Sequence, residues 1–468
     1  MKNVIRIKEI EIHNFKNVSF GKVQLADHVE DYKTSFLGIY GQNGSGKTTL
    51  IDAVELLKNI MCGRKLSEKY ADYVQKNKNH AELEYRFSIR SAEKTYEAVY
   101  RFQLYAETAN TDHDNTDPST IETHSVPIIR NETLSFSMKS GNRNYSFQKL
   151  MSTEKTDTLL PVNKRKELVG NRRQTVTDLL VSRQMTLNDS RSFLFSAELL
   201  KQIRENCKNE IYRDLIESLV WFANYELFII NKADSSIVSL NALPLSFSFT
   251  DKNCHSYSGT LPVNIDKPTA IPAEQYHIVE RAINGMNVVL EQLVPGLTIR
   301  VKNLGKQLDE KGNTLVILEL ASCRDDVEIP LKYESDGIKK IISVLELLIA
   351  VYNRSSITVA IDELDAGIFE YLLGEMLRII SENGKGQLIF TSHNLRPLET
   401  LNKKFIVFTT ANPENRYIRL TNVKVTNNLR DFYYRDIQLG LQSEEVYEQT
   451  DNFDIALAFR KAGDAFDA

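Results

Sequence analysis

Apolar and polar residues alternate along the chain in patterns that predict its strands and helices. The opening residues, MKNVIRIKEIEI, alternate apolar and charged side chains, which is the period of a half-buried strand. The same alternation at 81–90 and 94–106 predicts an antiparallel pair, and the polar stretch at 107–120 predicts a surface loop. Apolar positions spaced by three or four residues predict helices at 49–60, 164–183, 196–228 and 272–296.

Three shorter segments are apolar almost throughout: SFLGIY (35–40), SSITVAI (355–361) and GQLIFT (386–391). Continuous apolar strands are typical of parallel sheets that helices cover on both faces. The run at 341–352, IISVLELLIAVY, is shorter than the about twenty residues of a membrane span, so it predicts a buried helix. Together these segments predict an α/β fold.

The first chemical motif lies between the first of these strands and a helix. Residues 41–49 read GQNGSGKTT, which satisfies G-x-x-x-x-G-K-[ST] and predicts a phosphate-binding loop. Glycines allow successive backbone N–H groups to turn inward onto an anion. We expect the loop to bind ATP, with Lys47 on the β- and γ-phosphates, Thr48 on Mg²⁺ and Thr49 near the α-phosphate. The residues predicted to bind the nucleotide are Gly41, Asn43, Gly44, Ser45, Gly46, Lys47, Thr48 and Thr49.

Two further strands end in polar residues that suit the same chemistry. Asp362 and Glu363 follow the strand at 355–361, where the first acid is expected to hold Mg²⁺ and the second to polarise the attacking water. His393 follows the strand at 386–391 and is expected to sense the γ-phosphate. Ser335 and Gly337 begin the apolar helix and form a second small anion site, for which a plain N-cap serine is the alternative.

Composition excludes several classes of protein. The 468 residues are 42% hydrophobic and 26% charged, with a net charge of −4, so no global field draws the chain to nucleic acid or membranes. The four cysteines are far apart in sequence, which argues against a disulfide framework or a zinc site. The first residues predict a strand and not a signal peptide. We therefore expect a cytoplasmic protein with no membrane contact.

These motifs, in this order, resemble the ABC-type ATPase heads of SMC, RecF and OLD-like proteins. The segment IRIKEIEIHNFKNV (5–18) also resembles the opening strand of that group, and the resemblance covers about 1–90 and 300–410. It implies a mixed or parallel sheet with flanking helices, an antiparallel β part and a compact, largely helical insertion. The domains it implies are an N-terminal half-head (1–106), an inserted partner-sensing module (107–300), a C-terminal half-head (301–427) and a helical tail (428–468).

The resemblance also implies roles for individual residues. Asp362 matches the Walker B acid and Glu363 the catalytic glutamate, while Asp365 matches the D-loop and His393 the switch histidine. Ser335 and Gly337 match the signature motif, which caps the γ-phosphate bound by the opposite protomer. The implied assembly is a homo-oligomer, a dimer of heads at least, with ATP between head-to-tail protomers. The Q-loop glutamine stays open, with Gln148 and Gln184 as candidates.

The tail at 428–463 resembles compact OLD-like ATPases of bacterial anti-phage defence systems, such as the ATPase subunit of PARIS. This implies a sensor and scaffold subunit that controls a separate nuclease effector of the TOPRIM type, in response to a phage-encoded trigger protein. The alternative is a DNA-binding RecF/SMC-like ATPase of repair or recombination, in which the basic run at 163–173 contacts phosphates. That run is more typical of a solvated helix face or loop. A transporter head ranks third.

Overall fold

The computed structural model describes residues 3–25, 33–91, 94–109, 124–141, 143–154, 158–231, 242–250, 256–324, 327–422 and 428–464. The loop predicted at 107–120 lies outside this part from residue 110 onwards, and Cys254 also lies outside it. The strands are, in chain order, β1 (Val4–Phe15), β2 (Val18–Gln24), β3 (Ser35–Tyr40), β4 (Ala81–Arg90), β5 (Lys94–Ala109), β6 (His124–Ser140), β7 (Arg143–Ser152), β8 (Leu227–Ile230), β9 (Ala242–Thr250), β10 (Ser256–Asn264), β11 (Thr269–Pro272), β12 (Thr298–Leu308), β13 (Thr314–Arg324), β14 (Val327–Pro330), β15 (Thr358–Ile361), β16 (Gln387–Thr391), β17 (Ile406–Thr409) and β18 (Tyr417–Ile418).

The helices connect and cover these strands. They are, in chain order, α1 (Lys47–Met61), α2 (Val162–Val169), α3 (Arg173–Asn188), α4 (Ala197–Asn206), α5 (Glu210–Tyr225), α6 (Tyr276–Leu293), α7 (Asp336–Asn353), α8 (Glu370–Asn383), α9 (Pro397–Thr400), α10 (Leu429–Leu439) and α11 (Asn452–Asp464). No helix in these ranges combines the length and the apolar character that a bilayer crossing requires.

A six-stranded sheet with the order β18-β17-β3-β16-β15-β8 forms the centre of the molecule. The strands from β17 to β8 pair in parallel, and β18 pairs antiparallel to β17. The side chains of β3 alternate between two hydrophobic cores, one on each face of the sheet. Leu37 and Ile39 belong to one core, and Phe36 and Tyr40 belong to the other. This burial on both faces is the reason why β3, β15 and β16 read as continuous apolar runs.

An antiparallel sheet with the order β2-β1-β4-β5-β6-β7 packs over one side of the central sheet. The predicted pairing of 81–90 with 94–106 is confirmed, because β4 and β5 pair from Ala81 with Leu104 to Arg90 with Thr95. Smaller sheets, β11-β13-β12 with β14 and the hairpin β9–β10, complete the strands in the described ranges. The mixed α/β fold class predicted from the sequence is confirmed.

Two helix predictions need correction. The segment 164–183 divides into α2 and α3, because Gly170 ends α2 at a φ of 81°. The segment 196–228 divides into α4 and α5, since Asn209 caps α5 by accepting a hydrogen bond from the Ile211 N–H at 3.1 Å. Its last residues are not helical, because they begin β8, which pairs in parallel with β15. Local periodicity cannot reveal this pairing, because Leu227 pairs with Thr358, which is 131 positions further along the chain.

The domain boundaries stay a prediction, and the structure only locates them. The boundary at residue 106 falls within β5, and the segment 107–300 contributes α2 to α6 together with strands of all four sheets in the described ranges. Among these strands, β6 and β7 extend the antiparallel sheet and β8 closes one edge of the central sheet. The predicted module is therefore joined to the half-heads by continuous backbone pairing.

Gln387 at the start of β16 connects the two large sheets. Its side chain is buried, accepts a hydrogen bond from the Ile7 N–H at 3.0 Å and donates one to the Ile7 carbonyl at 2.8 Å. Its amide also donates to the Ser35 hydroxyl at 3.1 Å. Buried polar groups that lose their partners cost free energy, so this glutamine holds β1 in register against the central sheet.

We expect Gln387→Leu to lower the free energy of unfolding by about 2–4 kcal/mol, because the Ile7 N–H and carbonyl would be buried without partners. Urea denaturation measures the change. Gln307→Leu, at an exposed position of β12, is the matched control and should change stability by less than about 0.5 kcal/mol. A Gln387→Leu variant as stable as the control would contradict the bridging role.

Candidate functional site

The phosphate loop of the sequence motif connects β3 to α1 at the carboxyl edge of the central sheet. Gly41, Gly44 and Gly46 have positive φ angles of 149°, 76° and 97°, which favour glycine. At Gly41 space is also a constraint, because a Cβ atom would lie 1.8 Å from the Thr409 hydroxyl oxygen. The loop therefore needs its glycines both for backbone conformation and for close packing.

Lys47 is buried at the first position of α1, and its ammonium group folds back onto the loop. It donates hydrogen bonds to the carbonyl oxygens of Gly41 at 2.8 Å and Gln42 at 2.9 Å. Burial lowers the pKa of Lys47, and the carboxylates of Asp362 and Glu363 oppose this shift. The carboxylates thus favour the charged lysine at the mouth of the helix.

A chain of short hydrogen bonds joins α1, β15 and β16. The Thr48 hydroxyl donates to the Asp362 carboxylate, with distances of 3.1 and 3.3 Å to its two oxygens. On the other side, the Thr391 hydroxyl donates to the same carboxylate at 2.6 Å. Thr391 also accepts a hydrogen bond from the Glu363 N–H at 2.7 Å. One hydroxyl group therefore contacts both the carboxylate of Asp362 and the backbone of Glu363.

Glu363 adopts an unusual backbone conformation, with a φ of 47°. Left-handed conformations cost non-glycine residues of the order of 1–3 kcal/mol and persist where the surroundings impose them. Here the Leu364 N–H donates to the Thr391 carbonyl at 3.0 Å, next to the bond between Glu363 and the Thr391 hydroxyl. The strained turn directs Glu363 towards the cavity that the phosphate loop and the strand ends form.

The phosphate loop, the start of α1 and the ends of β15 and β16 surround a solvent-open cavity of about 450 Å³. It is lined by Lys16, Asn17, Asn43, Gly44, Gly46, Lys47, Thr48, Thr49, Asp362, Glu363, Thr391 and His393. The structure thus brings most of the site residues named from the sequence onto one surface. Gly41 and Ser45 support the loop from behind, where the Ser45 hydroxyl donates to the Gln42 carbonyl at 2.6 Å and contacts Thr409.

Asp365 acts on the cavity through the backbone of its neighbours. Its carboxylate accepts hydrogen bonds from the N–H groups of His393 at 3.0 Å and Asn394 at 2.9 Å. This contact fixes the turn after β16 and leaves the His393 side chain exposed at the cavity rim. Asp365 itself is not among the residues that line the cavity in the described ranges, and its contact with the nucleotide stays a prediction.

Ser335 and Gly337 lie apart from the cavity of their own chain. Ser335 is exposed and caps α7 by accepting a hydrogen bond from the Ile338 N–H at 3.4 Å. Gly337 packs against the segment after Glu363, since a Cβ atom there would lie 2.1 Å from the Gly367 carbonyl oxygen. The start of α7 is therefore in contact with the loop that carries the two acids.

Lys340, one turn further along α7, is a buried cation that the sequence analysis did not identify. Burial lowers the pKa of Lys340, and Asp362, Glu363 and Asp365 oppose the shift. A lysine in an apolar helix was the available sequence signal. The acids therefore interact electrostatically with two buried lysines, Lys47 and Lys340.

Lys16 and Asn17, in the turn between β1 and β2, are further cavity residues that sequence reasoning missed. Asn17 accepts a hydrogen bond from the Thr49 hydroxyl at 2.8 Å and donates to the Gly44 carbonyl at 2.5 Å. Lys16 forms an ion pair with the buried carboxylate of Asp52 at 2.5 Å. The segment HNFKN contained these residues, but nothing local shows that it touches the phosphate loop.

The two Q-loop candidates lie elsewhere. The Gln148 amide on β7 donates to the Ser146 carbonyl at 3.4 Å, and the Gln184 amide on α3 donates to Asn188 at 3.1 Å. Neither residue is among those that line the cavity in the described part of the chain. Asn231, directly after β8, is an amide side chain that contacts α1: it donates to Asp52 at 2.6 Å and to Glu55 at 3.0 Å.

The sequence matches the family described as AAA ATPase domain over residues 6–396, which is most of the chain. The chain belongs to this family. It is therefore an ATPase, and the phosphate loop, both acids and His393 all lie within the matched residues. None of the curated proteins matches this ATPase.

Solved structures of ATPase heads resemble this ATPase at low sequence identity. The SMC head bound to the C-winged helix domain of ScpA is 14% identical, with 89% of this chain and 98% of that chain covered and a TM-score of 0.39. The SMC head domain from Thermotoga maritima is 13% identical, covering 89% and 99%, with a TM-score of 0.35. The recombination mediator RecF with ATPrS is 15% identical, covering 84% and 94%, with a TM-score of 0.33. The family assignment of this ATPase rests on the sequence match.

We expect Thr391→Val to lower kcat for ATP hydrolysis at least about tenfold, because Asp362 and Glu363 would lose the hydroxyl that orients them. Steady-state phosphate release measures the effect. Thr391→Ser retains the hydroxyl and is the matched control, with kcat within about threefold of wild type. Wild-type turnover by Thr391→Val would show that this hydroxyl does not position the acids.

Proposed function

We propose that this ATPase works as an ABC-type head of the SMC, RecF and OLD-like kind, with ATP bound between two head-to-tail copies. The observation that carries the proposal is the separation of the two anion-binding elements. Lys47, Thr48 and the acid pair meet on one cavity, whereas Ser335 is exposed and lies outside it. A single chain then offers two half-sites, which a second copy would complete.

Thr48 and Asp362 are suited to hold Mg²⁺. The hydroxyl and the carboxylate are oxygen donors, which Mg²⁺ prefers, and they already lie within 3.3 Å of each other. When bound, the ion neutralises charge on the β- and γ-phosphates. Lys47 would then exchange its loop carbonyls for phosphate oxygens, and the backbone N–H groups of the loop would surround the β-phosphate.

Glu363 is the proposed base that polarises the attacking water, and His393 is the proposed contact to the γ-phosphate. Both side chains line the cavity. The backbone of each residue is held by a hydrogen bond at the ends of β15 and β16: the Glu363 N–H donates to Thr391, and the His393 N–H donates to Asp365. General bases work from within hydrogen-bond reach of the proton that they accept. The strained turn at Glu363 supports this role because strain of this kind is concentrated at functional sites.

The start of α7 is the proposed contact to the partner's ATP. Ser335 offers a hydroxyl at the N-terminal end of an eighteen-residue helix. At this end, free backbone N–H groups and the helix dipole favour the binding of a phosphate. Because Gly337 packs on Gly367, a shift of this half-site is transmitted to the acid loop of the same chain. Hydrolysis at one site would in this way loosen the pair.

The finer proposal is a sensor and scaffold subunit of an anti-phage defence system, related to the ATPase of PARIS, that controls a separate nuclease effector. Support comes from α11, which is exposed from residue 452 to residue 463 and carries Phe453, Leu457 and Phe459. Exposed apolar surface of this kind is typical of a site for a protein partner. The resemblance of the tail to defence ATPases gives the class of partner.

The alternative is a DNA-binding ATPase of repair or recombination. Within the basic run at 163–173, Lys166, Arg172 and Arg173 are exposed. Lys164 and Arg165 are already engaged, since Lys164 donates to the Tyr212 hydroxyl and Arg165 donates to the Thr158 hydroxyl at 3.2 Å. Three exposed cations form a small footprint for a duplex, so the protein-partner proposal is favoured.

Mixing two inactive variants tests the shared site. We expect Lys47→Ala to lose ATP binding and Ser335→Arg to lose hydrolysis, whereas an equimolar mixture should recover roughly a quarter of wild-type activity, as half the pairs contain one intact site of two. Phosphate release by each variant and by the mixture measures this. Melting temperatures control for folding, because removal of the N-cap alone costs about 1 kcal/mol. A mixture no more active than its components would reject head-to-tail sharing.

Co-expression with the adjacent open reading frames tests the effector. Glu363→Gln should bind ATP, hydrolyse it poorly and hold the assembled state, so with ATP it should retain a nuclease-type partner through affinity purification. Lys47→Ala is the control that cannot bind ATP and therefore cannot assemble with copies of itself, so it should retain less. Retention of no encoded partner by either variant, together with salt-dependent binding to duplex DNA, would instead support the repair alternative.

A further inference from the structure

A short segment near the C-terminus, residues 444–448, lies against the phosphate loop; we refer to it as the strap. It is docked on the turn between β17 and β18. The Glu445 carbonyl accepts a hydrogen bond from the Ala411 N–H at 2.7 Å, and the Glu444 carboxylate accepts one from each of the side-chain amides of Asn412 and Asn415, both at 2.9 Å. Val446 is 2% exposed, so the strap is anchored in the core.

The strap ends on Gln42, the second residue of the phosphate loop. The Glu448 N–H donates to the Gln42 side-chain carbonyl at 2.9 Å, and the Gln42 amide donates to the Glu448 carbonyl at 3.4 Å. This reciprocal pair joins residues 406 positions apart in the sequence. The side chain of Gln42 is thereby held by the strap while its backbone belongs to the loop.

The backbone of Gln42 is the centre of the bonding inside the loop. Its carbonyl oxygen accepts hydrogen bonds from the Lys47 ammonium at 2.9 Å and from the Ser45 hydroxyl at 2.6 Å. A loop rich in glycine loses much conformational freedom when it closes on a ligand. A contact that fixes the loop beforehand removes part of that cost and raises affinity.

We propose that the strap is a positioning element of the ATP site, and that it acts through Gln42 to hold the phosphate loop in its binding conformation. The nucleotide site then consists of three distant parts of the chain: the loop with α1, the acids on β15, and the C-terminal strap. The expected consequence is specific. Loss of the contact should weaken ATP binding, whereas turnover of the bound nucleotide, which depends on Thr391 and Glu363, should stay near normal.

The contact can be broken from either side. Gln42→Leu removes both hydrogen bonds from the loop, and Glu448→Pro removes the N–H donor from the strap. Gln42→Glu keeps the acceptor for the Glu448 N–H and should rescue part of the loss. Gln449→Pro, one residue beyond the strap, is the matched control for the proline ring. The readouts are the Kd for ATP by calorimetry and the KM and kcat for hydrolysis by the full-length protein.

We expect Gln42→Leu and Glu448→Pro each to raise Kd and KM about three- to tenfold, in keeping with the loss of one or two hydrogen bonds, with kcat within about twofold of wild type. Gln42→Glu should lie between them and wild type. If both variants bind ATP as wild type does, or if kcat falls together with the melting temperature while KM stays unchanged, the strap is only a structural tie. The proposal rests on ATP occupying the phosphate-loop cavity, and Lys47→Ala tests that assignment separately.

Discussion

The hydroxyl group of Thr391 is the contact on which the arrangement of the acids depends. It lies between the ends of β15 and β16, donates to the Asp362 carboxylate and accepts from the Glu363 N–H. Because parallel strands end at the same edge of a sheet, this one group can fix both acids relative to the phosphate loop. The left-handed turn at Glu363 is possible only because the neighbouring strand supplies these partners.

Burial makes the charges of this site interdependent. Lys47 and Lys340 are both buried. Desolvation lowers the pKa of each lysine, and the same acids oppose this downward shift. Buried charges are tolerated when opposite charges and hydrogen bonds compensate them. A triphosphate with its metal ion would enter a cavity whose wall already contains both signs of charge, so its binding must rearrange Lys47 in particular. The ammonium group is placed for this exchange, since its present partners are neutral carbonyls.

Long-range contacts connect the start of α7 and the phosphate loop to distant parts of the chain. Gly337 packs on Gly367, so the start of α7 is in direct contact with the acid loop. The turn at Asn17 ties the first hairpin to the phosphate loop, and the strap ties the C-terminal segment to Gln42. Through these contacts, segments far apart in the chain reach the acid loop and the phosphate loop directly.

The sequence by itself determined the parts of this ATPase that reside in contiguous residues: the phosphate loop, the Asp-Glu pair after an apolar strand, the histidine after the next, and the α/β class. The order of neighbouring residues is enough to predict these parts, because the spacing of residues within each motif determines both the backbone conformation and the groups available for chemistry. Only the tertiary structure decided that Thr391, Lys16, Asn17 and Lys340 belong with these motifs, and that β8 is a strand. Those assignments depend on contacts between segments far apart in the chain, and such contacts leave no period in the local pattern from which they could be predicted.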